Sequence, residues 1–119
     1  MEKVNVLGTE YKILVHKISE DTVLERNHFA GYCNENAHEI IIADMSEEKY
    51  FPDMTDAEIE MYRKSTMRHE IVHAFLSESG LSANTIRPEE AWAKNEEMID
   101  WIAIQFPKML EVFKQVNCI

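Results

Sequence analysis

His69, Glu70 and His73 form a His-Glu-x-x-His pattern, and residues of these types at this spacing could do chemistry together. On a helix, residues i and i+4 lie on one face, so both imidazoles could reach one zinc ion at about 2.0–2.1 Å. Glu70 lies about 100° from His69 around the helix, at the edge of that face. From there it could act as a general base toward a water on the metal without being a ligand.

The pattern has a purely structural alternative, in which both histidines are ordinary surface or core residues of a helix. A match of this kind arises by chance in roughly a few per cent of chains with such a composition. A catalytic zinc ion usually has three protein ligands and one open position. A third ligand elsewhere in the chain would therefore favour the metal site over the structural alternative.

We expect the third ligand within residues 95–100, where Glu96 and Asp100 are spaced i and i+4 on a second predicted helix. We interpret Glu96 as the ligand and Asp100 as an outer carboxylate that accepts a hydrogen bond from a ligand imidazole. Taken alone, these acids would be an ordinary solvated helix face. Apolar neighbours favour burial of much of this helix: Trp92, Met98, Ile99, Trp101, Ile102 and Phe106.

Glu97 is the neighbour of Glu96, and only one of the two can face the metal because a helix turns about 100° per residue. Glu96 shares its face with Asp100 and Ala103, and the small Ala103 side chain would let two helices approach closely. Glu97 instead shares its face with Lys94, an arrangement typical of a solvent-side ion pair. We therefore predict Glu96 as the ligand.

These residues resemble those of the gluzincin metallopeptidases. Residues 95–100 are similar to the Asn-Glu-x-x-x-Asp segment of thermolysin-like enzymes, whose glutamate is the third zinc ligand. Minimal gluzincins and ImmA/IrrE-type peptidases of phages and mobile elements carry a comparable Glu-x-x-x-Asp or Glu-x-x-x-Asn with an alanine three residues on, here Ala103. The resemblance covers residues 66–103.

The resemblance implies a zinc-dependent peptidase that hydrolyses a peptide bond through a zinc-bound water activated by Glu70. It also implies a sheet packed on the histidine-bearing helix, with an edge strand that pairs with an extended peptide or protein substrate. Glu39 to Ala43 is our candidate for that strand, because a sheet edge can bind peptide by β-augmentation. A regulatory protease with a narrow protein substrate is one form of this prediction.

A non-catalytic, zinc-stabilised protein-binding module is the alternative from another functional class. Glu70 argues against it, because a purely structural zinc site needs no general base. A small chain without obvious substrate subsites argues for it, or for a very narrow substrate range. The substrate, the oligomeric state and the residue that stabilises the oxyanion stay open, with His38, Tyr32 and Arg87 as candidates for the last role.

Composition and charge disfavour several other classes of protein. The 119 residues fit a single domain, 1–119, and 22 acidic against 12 basic residues give a net charge of −10, which disfavours nucleic-acid binding. Cys33 and Cys118 are far apart in sequence and form no CxxC pair, so the sequence supports neither a disulfide framework nor a cysteine-based zinc knuckle. The chain has no visible signal peptide and no apolar run long enough to span a membrane, so we expect a cytoplasmic protein.

The element pattern predicts an α+β, zincin-like fold. Strands are expected at residues 4–7 and 11–16, with a hairpin whose arms are 30–33 and 39–43; residues 19–27 could be helix or loop. A helix is expected from the capping signal at Thr55 to Gly80. A ligand helix should follow from Pro88 to about Phe106, after which Pro107 kinks it or begins a C-terminal helix. A small antiparallel or mixed sheet would thus pack on the active-site helix.

Overall fold

The computed structural model describes residues 2–83 and 87–119 of the chain. Within these ranges it has four strands, β1 to β4, and three α-helices, α1 to α3. The strands are Glu2–Val6, Thr9–His16, Gly31–Asn34 and Glu39–Ala43, and the helices are Thr22–Asn27, Asp56–Glu78 and Glu96–Gln115. No helix in the described part of the chain has the length and hydropathy that crossing a membrane requires.

The four strands form one mixed sheet in the order β1-β2-β4-β3. β1 is antiparallel to β2 and β3 is antiparallel to β4, whereas β2 and β4 are parallel in the middle of the sheet. Leu7 and Gly8 have positive φ values of 51° and 96°, which suit the two-residue turn between β1 and β2. The predicted α+β class with a mixed N-terminal sheet is confirmed, as is the hairpin of β3 and β4.

The prediction that Glu39–Ala43 is an edge strand is wrong. This strand, β4, lies inside the sheet and pairs with β2 on one side and with β3 on the other. The side chains of Ile40, Ile41 and Ile42 are at most 1% exposed, as expected for a strand that is covered on both faces. The edges of the sheet are β1 and β3.

α2 is the long helix that the capping signal predicts. Thr55 Oγ1 accepts a hydrogen bond from Glu58 N at 3.2 Å, and Glu58 Oε2 accepts one from Thr55 N at 2.7 Å. The helix ends at Glu78, and Gly80 just beyond it has a φ of 82°. The sheet packs against α2, whose Ala74 is fully buried.

α3 begins at Glu96, so the prediction that this helix begins at Pro88 is wrong. Residues 88–94 instead contain two short 3-10 turns. Asn95 then caps α3, because its side-chain oxygen accepts a hydrogen bond from Met98 N at 2.8 Å. This cap places Glu96 in the first turn of the helix.

α3 continues through Pro107 to Gln115, so the predicted ligand helix and C-terminal helix are one element. A proline in a helix has no N–H, and it leaves the carbonyl four residues earlier without its helical hydrogen bond. Here that carbonyl belongs to Ala103, which is buried and lies on the helix that packs against α2. Arg68 of α2 donates to this carbonyl in place of the missing N–H.

Gly31 lets β3 pass close to α2. An ideal Cβ at residue 31 would lie 2.8 Å from the carbonyl oxygen of Ile41 and 2.9 Å from Thr66 Cγ2. Real Cβ atoms essentially never approach other atoms this closely, so a larger residue would force the strand or the helix to shift. Residue 31 therefore sets the spacing between an edge strand and the helix that carries the two histidines.

We expect Gly31→Ala to lower the free energy of unfolding by about 1–3 kcal/mol, because the added methyl group overpacks this contact. Urea denaturation followed by circular dichroism measures the change. Thr66→Ser removes Cγ2, so the cost of Gly31→Ala should be smaller in that background. Equal costs in the two backgrounds would contradict a direct contact between residues 31 and 66.

Candidate metal centre

The two histidines of α2 face the same point. His69 and His73 are one helical turn apart, and their Nε2 atoms are separated by 3.1 Å. Their side chains are 17% and 15% exposed, so the rings are mostly covered while the nitrogens stay reachable from a cleft. The i, i+4 spacing thus brings two imidazole donors together as predicted.

The carboxylate of Glu96 approaches both imidazoles from α3. Its Oε2 atom is 2.9 Å from His69 Nε2 and 3.2 Å from His73 Nε2, and its Oε1 atom is also 3.2 Å from His73 Nε2. Glu96 is the first residue of α3, so the Asn95 cap that begins the helix also positions this carboxylate. Two helices therefore contribute to one cluster of donor atoms.

Asp100 contacts the other ring nitrogen of His69. Its Oδ1 atom is 2.7 Å from His69 Nδ1, one turn of α3 after Glu96. A carboxylate at this position accepts a hydrogen bond from Nδ1–H, which leaves the lone pair of a neutral imidazole on Nε2. The lone pair then points toward His73 and Glu96.

The arrangement of these atoms fits a metal ion. His69 Nε2 with its lone pair and Glu96 Oε2 are both acceptors, and acceptors 2.9 Å apart repel each other unless a cation or a proton lies between them. Ligand atoms around a tetrahedral zinc ion at 2.0–2.1 Å are separated from one another by about 3.3 Å. The distances that join the His69, His73 and Glu96 atoms, 2.9 to 3.2 Å, are close to that value.

Glu70 lies beside the histidines and is only 6% exposed. Its Oε1 atom is 4.0 Å from His69 Nε2. The ligand atoms of His69, Glu70 and His73 all lie within 4.8 Å of one another, so this group could hold a metal ion. The geometry of the group does not define which metal.

Burial changes the protonation of two residues in this cluster. It raises the pKa of Glu70 to about 7, an effect that nearby His69 opposes and the carboxylates of Glu96 and Asp100 reinforce. Burial also lowers the pKa of His73, although Glu96 opposes that change. The neutral imidazole that results is the form that binds a metal.

An open cleft of about 830 Å³ surrounds the cluster. α2 and β3 form two of its walls, and the start of α3 forms part of another. The lining from α2 is Tyr62, Ser65, Thr66, His69, Glu70 and His73, and that from β3 is Gly31, Tyr32, Cys33 and Asn34. The donor atoms and an edge strand therefore border the same cleft.

The candidates for an oxyanion-stabilising residue are used elsewhere or lie outside the cleft. The hydroxyl of Tyr32 donates to Asp21 Oδ2 at 2.9 Å. His38 Nε2 lies 3.8 Å from Glu78 Oε1, and neither His38 nor Arg87 lines the cleft in the described part of the chain. Of the three candidates, only Tyr32 lines the cleft, and its hydroxyl is bonded to Asp21.

Arg68 is a residue of the site region that the sequence patterns did not indicate. Its Nε donates a hydrogen bond of 2.5 Å to the carbonyl oxygen of Ala103, the acceptor that Pro107 leaves without a helical partner. Arg68 immediately precedes His69, and Ala103 lies one turn after Asp100. This bond therefore ties α3 to α2 next to the donor atoms, and the proline was the only sequence signal for it.

Comparison with protein-family models, with curated proteins and with solved structures finds no match to this chain. The resemblance of residues 66–103 to gluzincins therefore stays a prediction. What the site can do follows from its donor atoms, their burial and the cleft around them.

We expect Arg68→Met to lower the free energy of unfolding by about 1–3 kcal/mol, because it leaves a buried carbonyl without a donor. Chemical denaturation measures this cost. Pro107→Ala restores an N–H that can bond to Ala103, so Arg68→Met should cost less in the Pro107→Ala background. A cost that is the same with proline and with alanine at residue 107 would mean that the arginine does not serve this carbonyl.

Proposed function

We propose that this chain is a zinc-dependent peptidase in which His69, His73 and Glu96 hold the metal ion and Glu70 is the general base. The observation that supports the proposal most strongly is the convergence of two imidazole nitrogens and one carboxylate within 2.9 to 3.2 Å. A second, buried carboxylate lies next to them in an open cleft. A structural zinc site would be closed and would have no use for that second acid.

The distances favour Glu96 over Glu70 as the carboxylate ligand. Glu96 lies 2.9 Å from His69 Nε2, whereas Glu70 Oε1 lies 4.0 Å away. Two imidazoles and one carboxylate suit zinc and leave a fourth coordination position open. Bound there, the ion would polarise the scissile carbonyl and lower the pKa of an attacking water.

In this proposal Glu70 transfers a proton from the attacking water to the leaving amine. Its pKa of about 7, raised mainly by burial, makes both its acidic and its basic form accessible near neutral pH; the positive charge of a bound cation would lower it. Glu70 takes one proton from the attacking water as the oxygen bonds to the carbonyl carbon. It then gives that proton to the leaving amine as the C–N bond breaks.

The substrate strand is assigned to β3, which replaces Glu39–Ala43 in this role. Ala43 N donates to Ala30 O at 2.8 Å, and this bond sets the alternation of the β3–β4 ladder. By that alternation, the N–H and C=O groups of Gly31 and Cys33 point away from β4 toward the open edge. Both residues line the cleft, so a peptide paired with them would lie beside the donor atoms.

Cys33 does not support a competing mechanism with a cysteine nucleophile. Burial, reinforced by nearby acidic residues, raises the pKa of its thiol to about 12, so the thiolate is scarcely populated at neutral pH. Cys33 and Cys118 are both free, in keeping with the predicted reducing cytoplasm. That compartment and a narrow, regulatory protein substrate stay predictions.

We expect protein purified without chelator to contain about one zinc ion per chain, and Glu96→Ala to lose most of it, because the site then keeps only two ligands. Elemental analysis and competition with a chromogenic chelator measure content and affinity. Glu97→Ala is the matched control and should bind zinc like the wild type. Asp100→Ala should weaken binding by about 10–100-fold. Full zinc occupancy in Glu96→Ala or in His73→Ala would rule out these ligands.

We expect Glu70→Gln to keep the zinc and the fold but to abolish peptide hydrolysis, because an amide cannot accept the proton. Zinc content, circular dichroism and cleavage of a peptide library are measured on the same preparation. An active wild type with an equally active Glu70→Gln variant would remove the general-base role. A zinc-loaded wild type that cleaves no peptide would favour the non-catalytic binding module.

A further inference from the structure

The polarity of the residues that line the cleft changes along its length. At one end, three exposed apolar side chains line it: Val23, Phe29 and Tyr62, which are 39%, 46% and 42% exposed. Beyond the donor atoms, the lining is instead polar, with Asn34, Glu35 and Asn36. Exposed aromatic surface that is rimmed by polar groups is typical of a binding site.

The apolar end leads into a second cavity of about 330 Å³. His28, Phe29, Ala30 and Tyr62 line both spaces, so the cavity adjoins the cleft. Its remaining wall is largely apolar and includes Leu24, Phe51, Pro52 and Met54. Tyr62 is held there by an edge-on contact with Phe51, with ring centroids 6.2 Å apart.

β3 and α2 run alongside each other toward this cavity. Gly31 is packed against Thr66, and two residues before Gly31 the chain reaches Phe29 at the cavity that Tyr62 also lines. A peptide paired with the open edge of β3 would therefore extend toward the apolar end. Phe29 and Ala30, which line the cavity, immediately precede β3 in the sequence. The strand that would bind the peptide backbone therefore begins beside the cavity that would bind a side chain.

The distance from the donor atoms sets which substrate residue reaches the cavity. Tyr62 lies two helical turns before His69, which corresponds to about 10 Å along the helix axis. An extended peptide advances about 3.3 Å per residue. The cavity is thus about three residues from the bond that would be cleaved.

We propose that this second cavity is a specificity subsite for a large aliphatic or aromatic side chain located about three residues from the scissile bond. The inference rests on the proposed peptidase function and names its substrate class: peptides with an apolar anchor at that distance. A side chain of this size, once buried, should raise kcat/KM by about 10- to 100-fold over glycine at the same position.

A library of dodecapeptides with blocked termini and randomised positions tests the subsite. The zinc-loaded wild type is incubated with the library, and mass spectrometry of the products gives the residues around each cleaved bond. We expect enrichment of Phe, Tyr, Trp, Leu or Met two to four residues from that bond, on one side of it. A flat profile over these positions would overturn the subsite while leaving the peptidase function intact.

Variants of the cavity wall provide the matched comparison. Tyr62→Ala and Phe29→Ala should each flatten the apolar preference, whereas Tyr62→Phe, which keeps the ring, should retain it. Met61→Ala is the control, because Met61 is adjacent to Tyr62 and 69% exposed but lines neither cavity. An unchanged profile in both alanine variants of the wall, or an equal loss in Met61→Ala, would overturn the assignment.

The zinc-loaded Glu70→Gln protein separates failure of this inference from failure of the proposed function. The library is captured on the immobilised variant, and the bound peptides are sequenced. If the wild type cleaves nothing, the peptidase proposal fails; bound peptides that carry the apolar anchor, and lose it with Tyr62→Ala, would still support the subsite. A bound pool without such enrichment would overturn the subsite, whatever the wild type cleaves.

Discussion

The contact between the first turns of α3 and the middle of α2 is the interaction on which the candidate site depends. The two histidines are placed by the pitch of one helix, but the carboxylates of Glu96 and Asp100 come from another. Asp100 contacts His69 at 2.7 Å, and Arg68 bonds to the carbonyl of Ala103 one turn further along α3. A slip of α3 by one residue would rotate both carboxylates by about 100° and disperse the donor atoms.

The same contact concentrates negative charge. Three carboxylates, those of Glu70, Glu96 and Asp100, lie around two imidazoles in a chain whose net charge is −10. The negative charges of Glu96 and Asp100 add to the effect of burial in raising the pKa of Glu70. A divalent cation between them would offset this repulsion, so the proposed metal would stabilise the packing of α3 on α2 as well as support chemistry.

The order of the strands decides which strand faces the cleft. β4 occupies the interior of the sheet and supplies the buried isoleucines, which leaves β3 as the edge beside the cleft. Open edges invite pairing with other chains, and natural proteins keep them short. β3 spans only Gly31–Asn34, so its free edge is confined to the cleft, where pairing with a peptide would be useful.

Local patterns were sufficient for the α+β class, the hairpin, the capped start of α2 and the shared face of His69 and His73, because these depend on contacts a few residues apart. The start of α3 also has a local cause, the cap at Asn95, whereas the strand at the sheet edge and the bond from Arg68 to Ala103 were decided by tertiary structure. Isoleucines suit an interior strand, but local sequence does not determine which strands lie beside it. Likewise, Pro107 implies an unpaired carbonyl, but the sequence does not indicate which residue donates to it. Such partners lie dozens of residues away in the chain, and only packing of the complete fold selects them.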